Sequence, residues 1–175
     1  MNYEISAERQ TEIYSILTAQ IEEVFDGIIK EYNLVWISDE NGYFITLRNE
    51  SKKYDLRFFR PLFVNTLPEF DYIDNSDYSH LNLISPNDML LRKQSLDKYL
   101  VWKNNTDNQV NKPKYKDFFN IGDVNIDALK NGYFYYSQLL LEYGKPILNG
   151  DRSFILESCE YRPDYKKYLQ RINYI

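Results

Sequence analysis

Four side chains that can do chemistry recur at three-residue intervals in one polar stretch. Asp71, Asp74, Asp77 and His80 could bind a hard cation or act as an acid–base pair, because carboxylates and imidazole serve both purposes. The spacing fits no calcium loop: a loop of about twelve residues begun at Asp74 lacks the turn glycine and places Ser85 where a bidentate Glu belongs. The sequence therefore predicts a solvated acidic loop without a metal ion.

The same stretch carries tyrosines between its carboxylates. Tyrosine combines a large contact area with a polar tip, and carboxylates steer basic partners. The residues concerned are Asp71, Tyr72, Asp74, Asp77 and Tyr78. We interpret them as a candidate surface for binding a protein partner of basic character.

Nucleophilic and metal-assisted catalysis have few candidates in this chain. His80 is the only histidine and Cys159 the only cysteine, so a Cys–His pair or a zinc site would need both. The flanking Glu157 and Glu160 favour the neutral thiol. The six glycines form no phosphate-binding motif. The sequence predicts no catalytic residues, metal or cofactor and favours a non-enzymatic function. A metal-assisted enzyme using residues 71–80 is an alternative hypothesis.

The elements that position these residues begin with a long helix. Apolar residues recur every three or four positions from Ile13 to Tyr32, which predicts an amphipathic helix with Ser6 as its N-cap. Three β-rich runs follow, at 34–38, 43–48 and 54–60, separated by turn-prone segments. These runs predict a three-stranded antiparallel meander, extended to four strands by a short run at 81–84.

The pairing of these strands gives the sheet two different faces. Placing Ile45 opposite both Trp36 and Leu56 makes one face almost wholly apolar, and we expect the first helix to cover it. The other face mixes apolar and polar residues, namely Val35, Ile37, Phe44, Thr46, Arg48, Asp55, Arg57 and Phe59. Its candidate binding residues are the aromatic and basic ones, Phe44, Arg48, Arg57 and Phe59. Such a surface could stack bases of single-stranded nucleic acid or contact a protein, or later helices could bury it.

The C-terminal half is predicted to be mostly helical. A helix starts at Ser85-Pro86 and runs to about 102, and an exposed, mobile connection follows at 104–116. Another helix spans 125–143, and Asn131-Gly132 in its interior predicts a kink or a break. A short strand at 153–156 and a last helix from about 162 to 171 complete the chain.

Composition places the chain among folded proteins. Its 175 residues, 43% of them hydrophobic, are enough for one domain, 1–175, of the α+β class. A net charge of −5 opposes binding to phosphate backbones, so a nucleic-acid partner is disfavoured. The lone cysteine, the absence of an apolar span and the N-terminal sequence predict a cytoplasmic protein without membrane contact.

These observations favour a protein-binding module. An inhibitor that occludes a partner's active site needs only a complementary surface, and it leaves no catalytic motif in its sequence. A small bacterial inhibitor or immunity-type protein is our leading hypothesis. The alternatives are the metal-assisted enzyme and a single-stranded nucleic-acid binder using the aromatic and arginine residues of the sheet.

Overall fold

A long helix, an antiparallel sheet and a largely helical C-terminal half make up an α+β fold, as the sequence predicts. The computed structural model describes residues 6–37, 44–59, 68–83, 88–107 and 123–175. The helices are α1 (Ala7–Glu31), α2 (Met89–Arg92), α3 (Leu96–Asp107), α4 (Ile126–Tyr143), α5 (Lys145–Leu148), α6 (Ser153–Glu157) and α7 (Pro163–Arg171). The strands are β1 (Val35–Ile37), β2 (Phe44–Asn49), β3 (Tyr54–Phe59), β4 (Phe70–Asp74) and β5 (Lys93–Ser95).

The first helix has the start and the buried stripe that its sequence predicts. The Ser6 side chain caps α1 by accepting a hydrogen bond from the Arg9 backbone N–H at 3.3 Å. The apolar stripe of this helix is buried, and its members are Ile13, Leu17, Ile21, Phe25 and Ile28. Burying this stripe against the sheet stabilises a helix that would be marginal in isolation.

The described strands pair antiparallel in the order β1-β2-β3-β4-β5. Trp36 lies opposite Leu47, and Ile45 lies opposite Phe58. Both predicted pairings are therefore wrong by two residues. An even shift leaves every side chain on its predicted face, so the apolar face is the predicted one. Ser38, Tyr43 and Arg60, at the ends of the predicted strands, lie outside the described residues.

Helices cover this apolar face through aromatic contacts. The ring centroids of Phe58 and Phe25 of α1 are 5.0 Å apart, and Tyr133 of α4 lies 5.6 Å from Phe58. Farther along the sheet, Tyr72 meets Phe154 of α6 at 5.0 Å. One hydrophobic cluster extends from α1 to the residues after α7. The sheet is thus lined by helices on its apolar face.

The polar segment at 71–78 is not the loop that its composition predicts. Its first part is the strand β4, fully buried, whereas the expected strand at 81–84 has no strand structure at 81–83, and residue 84 lies outside the described residues. Strand structure here depends on distant partners, because the Asp71 and Asp74 carboxylates pair with Lys93 and Arg152. Composition alone shows none of these pairings.

The predicted helix at 85–102 is two helices separated by a strand. Asp88 caps α2, and the residues proposed as its start, Ser85 and Pro86, lie outside the described residues. Strand β5 then pairs with β4, where Gln94 stands opposite Tyr72. The buried Gln94 amide donates hydrogen bonds to the Leu90 and Leu91 carbonyls at 3.0 and 3.1 Å. These side-chain bonds replace the backbone bonds of a continuous helix.

The remaining helices differ from prediction at two places. The Asn125 side chain caps α4, which runs unbroken through Asn131-Gly132, where a kink was predicted. The predicted strand at 153–156 is the helix α6, because a short apolar run does not distinguish the two by period. The predicted connection at 104–116 begins inside α3, and residues 108–116 lie outside the described residues. Helix α7 begins at Pro163 as predicted.

None of the helices seen in the described ranges combines the length and apolar character needed to cross a bilayer.

Candidate functional site

The predicted acidic surface is divided between the two faces of the sheet. Tyr72 and Asp74 point to the helix-covered face, and Asp71, which directly precedes Tyr72 on the strand, points to the other face. These three side chains and that of Tyr78 are buried, whereas Asp77 is exposed. The structure therefore does not bring the five predicted residues together as one contact surface.

Asp74 is the centre of a buried hydrogen-bond cluster. One carboxylate oxygen accepts from Arg152 Nε and from the Tyr78 hydroxyl, and the other accepts from the Ser76 backbone N–H at 2.8 Å. Burial opposes ionisation, but these bonds outweigh it and lower the pKa of Asp74. Arg152 also donates to the Lys52 carbonyl at 3.1 Å. The cluster ties β4 to the segment before α6, which indicates a structural role.

The other predicted residues of this segment have separate surroundings. Tyr72 stacks on Tyr54 with ring centroids 5.2 Å apart. The Asp77 carboxylate accepts from the Ser79 backbone N–H at 2.9 Å, and this bond lowers its pKa. His80 is exposed, with its ring 6.4 Å from that of Tyr78. Nowhere in the described ranges do three or more His, Cys, Asp or Glu side chains form a group that could hold a metal ion.

The second predicted group does come together. Phe44 and Phe59 are cross-strand partners whose rings meet edge to face at 5.3 Å. The Arg57 guanidinium lies 5.0 Å from the Phe44 ring centroid. Arg48 stands opposite Asp55 and donates two hydrogen bonds to its carboxylate, at 2.7 and 3.0 Å. All these side chains share the face turned away from α1 and α4.

Two residues that sequence analysis did not assign to this face complete it. Asp71 stands opposite Arg57, and Lys93 Nζ lies 3.0 Å from Asp71 Oδ2 and 4.9 Å from the centre of the Phe59 ring. Lys93 was missed because its segment was predicted to be helical. We call this group the charged strand face, and its members are Phe44, Arg48, Asp55, Arg57, Phe59, Asp71 and Lys93.

The charges of this face alternate in sign across four strands, β2 to β5. In spatial order they are Arg48, Asp55, Arg57, Asp71 and Lys93. The first four are neighbours directly across or along the strands, and Lys93 lies diagonally across from Asp71. The carboxylates lie underneath: the side chains of Asp55 and Asp71 are 1% and 3% exposed, against 37% for both Arg48 and Lys93. Burial raises the pKa of Asp71, and Lys93 opposes this rise. The outer layer of the face is consequently cationic.

The side chain of Arg57, in the middle of the series, does not use its full hydrogen-bonding capacity. Its Nε is buried and has no hydrogen-bond acceptor within the described parts of the chain. Leaving a buried guanidinium N–H without an acceptor costs free energy. Arg57 as a residue is partly exposed, and a ligand oxygen would accept from its other N–H groups. The cationic outer layer suits this arrangement to receiving an acceptor.

Cys159 does not have the surroundings of a nucleophile. Its thiol is partly buried and lies 3.9 Å from the Ile155 carbonyl oxygen, to which it donates a weak hydrogen bond. Burial raises the pKa of this thiol, and Lys166 and Arg162 only partly offset the rise. A raised thiol pKa reduces the thiolate fraction that attacks electrophiles.

Comparisons of this chain with protein-family models, with curated proteins and with solved structures find no match.

Proposed function

We propose that this chain is a protein-binding module whose contact surface is the charged strand face. The observation that carries the proposal is Arg57, whose buried Nε lacks an acceptor in the described structure while its neighbours Arg48 and Lys93 each have a carboxylate. Arginine and aromatic residues at the centre of a protein surface are the side chains that most often dominate binding energy.

The partner that fits this face presents a carboxylate. A planar carboxylate can accept two parallel hydrogen bonds from one guanidinium, and such charge-assisted bonds are stronger than neutral ones. The sequence alone suggested a basic partner, on the strength of Asp71, Asp74 and Asp77. Since the two carboxylates of the face, Asp55 and Asp71, are buried and ion-paired, its exposed charges are cations, and an acidic segment is the complementary partner.

The charged strand face supports nucleic-acid binding less well. Arg57 and Lys93 lie over the Phe44 and Phe59 rings, where bases would need to stack. The face also has only one cation more than it has carboxylates, so few counterions would be released on binding a phosphate backbone. A protein carboxylate needs only that single unmatched cation.

The metal-assisted enzyme has the weakest support. Asp71 and Asp74 point to opposite faces of the sheet, so they cannot share one cation.

In the inhibitor form of our proposal, the charged strand face covers an acidic active site of another protein. That form predicts that the purified chain reduces its partner's activity at stoichiometric amounts.

Site-specific photocrosslinking in the native host tests the contact surface. Val35 is 47% exposed and stands opposite Arg48, so a photoreactive phenylalanine analogue there would border the face. Phe134 is 52% exposed on α4 and serves as the matched control. We expect a protein crosslinked from position 35 and not from position 134. Equal crosslinking from both positions, or from neither, would contradict the proposal.

Calorimetry with the captured partner then tests the role of Arg57. We expect Arg57→Gln to weaken binding at least about tenfold, which is about 1.4 kcal/mol, and Arg57→Lys to weaken it less. Lys167→Gln on α7 provides a control with the same change of net charge. Undiminished binding by Arg57→Gln, or binding to an oligonucleotide in place of a protein, would overturn the assignment.

A further inference from the structure

We propose a second binding site, for a small organic carboxylate, in a cavity beside the start of α7. The cavity has a volume of about 430 Å³ and is lined by Leu90, Tyr161, Arg162, Pro163, Asp164, Tyr165 and Tyr168. Its volume falls within the range of small-molecule pockets, which combine apolar walls with a few fixed polar groups. It lies on the α2 and α7 side of the fold and shares no residue with the charged strand face.

Arg162 is the fixed polar group of this cavity. Its Nη1 donates a hydrogen bond to Gln94 Oε1 at 3.1 Å, and its guanidinium lies 4.4 Å from the centre of the Tyr165 ring. The two contacts hold the guanidinium plane in place before any ligand arrives. A side chain restrained in this way loses less conformational entropy on binding.

The Gln94 amide that holds Arg162 is itself fixed. Its Nε2 donates to the Tyr165 hydroxyl at 2.7 Å and to the carbonyls that precede β5. With the amide nitrogen committed to these acceptors, the amide oxygen must face Arg162. The cavity is therefore built on the buried β4–β5 pairing and not on a loose surface side chain.

The charge of Arg162 has no ion-pair partner among the described residues. Asp164, the carboxylate that lines the cavity, is exposed and lies 3.5 Å from Lys167. The guanidinium carries five N–H donors, and its bond to Gln94 uses one of them. A cation left uncompensated at the edge of a cavity favours an anionic ligand.

The remaining walls define the rest of the ligand. Leu90, Pro163 and the ring of Tyr161 offer apolar surface, which suits an aromatic or short aliphatic body attached to the carboxylate. The faces of Tyr165 and Tyr168 are less accessible, because these rings stack on each other at 5.9 Å and Arg162 and Arg171 lie over them. We infer a planar monocarboxylate with one apolar group.

Benzoate titration followed by amide NMR shifts tests this site. Benzamide is the matched neutral probe, because it has the same ring and nearly the same shape. We expect benzoate to shift the amide signals of Leu90, Tyr161 and Tyr165 saturably, with a Kd on the order of 1 mM. Benzamide should bind at least about tenfold more weakly, since it lacks the charge that pairs with Arg162.

Two arginine variants of equal charge separate this site from general anion binding. Arg162→Gln should weaken benzoate binding about tenfold or more, whereas Arg9→Gln, on α1 and paired with Asp123 outside the cavity, should leave it unchanged. Equal binding of benzoate and benzamide by the unaltered protein would overturn the proposal without any variant. So would the absence of saturable shifts at about 20 mM benzoate, or equal losses in the two variants.

Discussion

Asp74 on β4 binds Arg152, which lies 78 residues farther along the chain, through a hydrogen bond to a carboxylate with no solvent exposure. The pair joins the sheet to the start of α6. Removing one partner would leave the other buried and without its counter-charge, which costs more than the net contribution of the intact pair.

Arg152→Met should therefore destabilise the fold strongly. Because Arg152 is partly exposed, we expect a loss of about 2–4 kcal/mol in the free energy of unfolding, measured by urea denaturation. The exposed pair Asp164–Lys167 provides the control, and Lys167→Met should change stability by less than about 0.5 kcal/mol. Similar losses in both variants would show that the Asp74–Arg152 pair contributes no more to the free energy of unfolding than an exposed ion pair does.

Two glycines should respond to alanine in opposite directions. A Cβ at Gly144, where α4 ends, would lie 2.7 Å from the Leu140 carbonyl oxygen and also overlap the Leu140 side chain, so Gly144→Ala should cost about 1–3 kcal/mol. Gly27 lies on the exposed side of α1 with open space around it, so Gly27→Ala should gain about 0.5–1 kcal/mol. Thermal melting of the two variants checks both signs.

Asp97 should make stability depend on pH near neutrality. Burial, with a contribution from the Glu69 carboxylate, raises the pKa of Asp97 from 3.8 to about 7. Between these two values the folded protein holds a proton that the unfolded chain has released, so stability falls as pH rises through this interval. Each unit of pKa difference corresponds to about 1.4 kcal/mol, and the full loss should be about 4 kcal/mol.

Asp97→Asn isolates this effect, since asparagine cannot ionise. The variant and the unaltered protein should have similar stability near pH 4, and the variant should become progressively more stable up to about pH 8. Urea denaturation at four or five pH values measures the difference. If the stability difference between the two proteins does not vary with pH, Asp97 is not the source of the pH dependence.

The two arginines of the charged strand face should differ in their contribution to stability. Arg48→Met leaves the buried Asp55 without its partner and should cost about 2 kcal/mol, given that Arg48 is half exposed. Arg57→Met removes a buried N–H that lacks an acceptor and should change stability by no more than about 1 kcal/mol. Urea denaturation of both variants tests this contrast, and a larger loss for Arg57→Met would indicate a structural role for Arg57.

Cys159 should react slowly with thiol reagents at neutral pH. Its raised pKa and partial burial reduce both the thiolate fraction and the access of the reagent. We expect the rate with an aromatic disulfide reagent to be at least about tenfold lower in the folded protein than in the protein unfolded in urea. A folded-state rate equal to or above the unfolded one would restore Cys159 as a candidate nucleophile.

The parts of the fold that could be predicted are those with local signals. The Ser6 cap and the stripe from Ile13 to Ile28 depend on residues within one or two turns of each other. The face on which each strand residue lies was also predictable. Strand pairing shifted by two residues preserves the alternation of faces, so the prediction of faces is insensitive to the error in register.

Long-range pairing could not be predicted. Nothing near Asp71 in the sequence indicates Lys93, and nothing near Asp74 indicates Arg152, so a buried strand resembled a solvated loop. Strand β5 was missed for the same reason, because its three residues have strand structure only beside β4. In the candidate site, the four binding residues predicted for the sheet face lie together. Asp71 and Lys93, which complete the charge series of that face, were not predicted to lie there.

The alternating charges of the strand face have a kinetic consequence for any acidic partner. The whole molecule carries −5, so an acidic protein is repelled until it is within about 10 Å, where the outward cations begin to dominate. Added salt screens the distant repulsion and also weakens the close ion contacts. The association rate constant should then rise with ionic strength while the lifetime of the complex shortens, the opposite of the usual behaviour of electrostatically steered pairs.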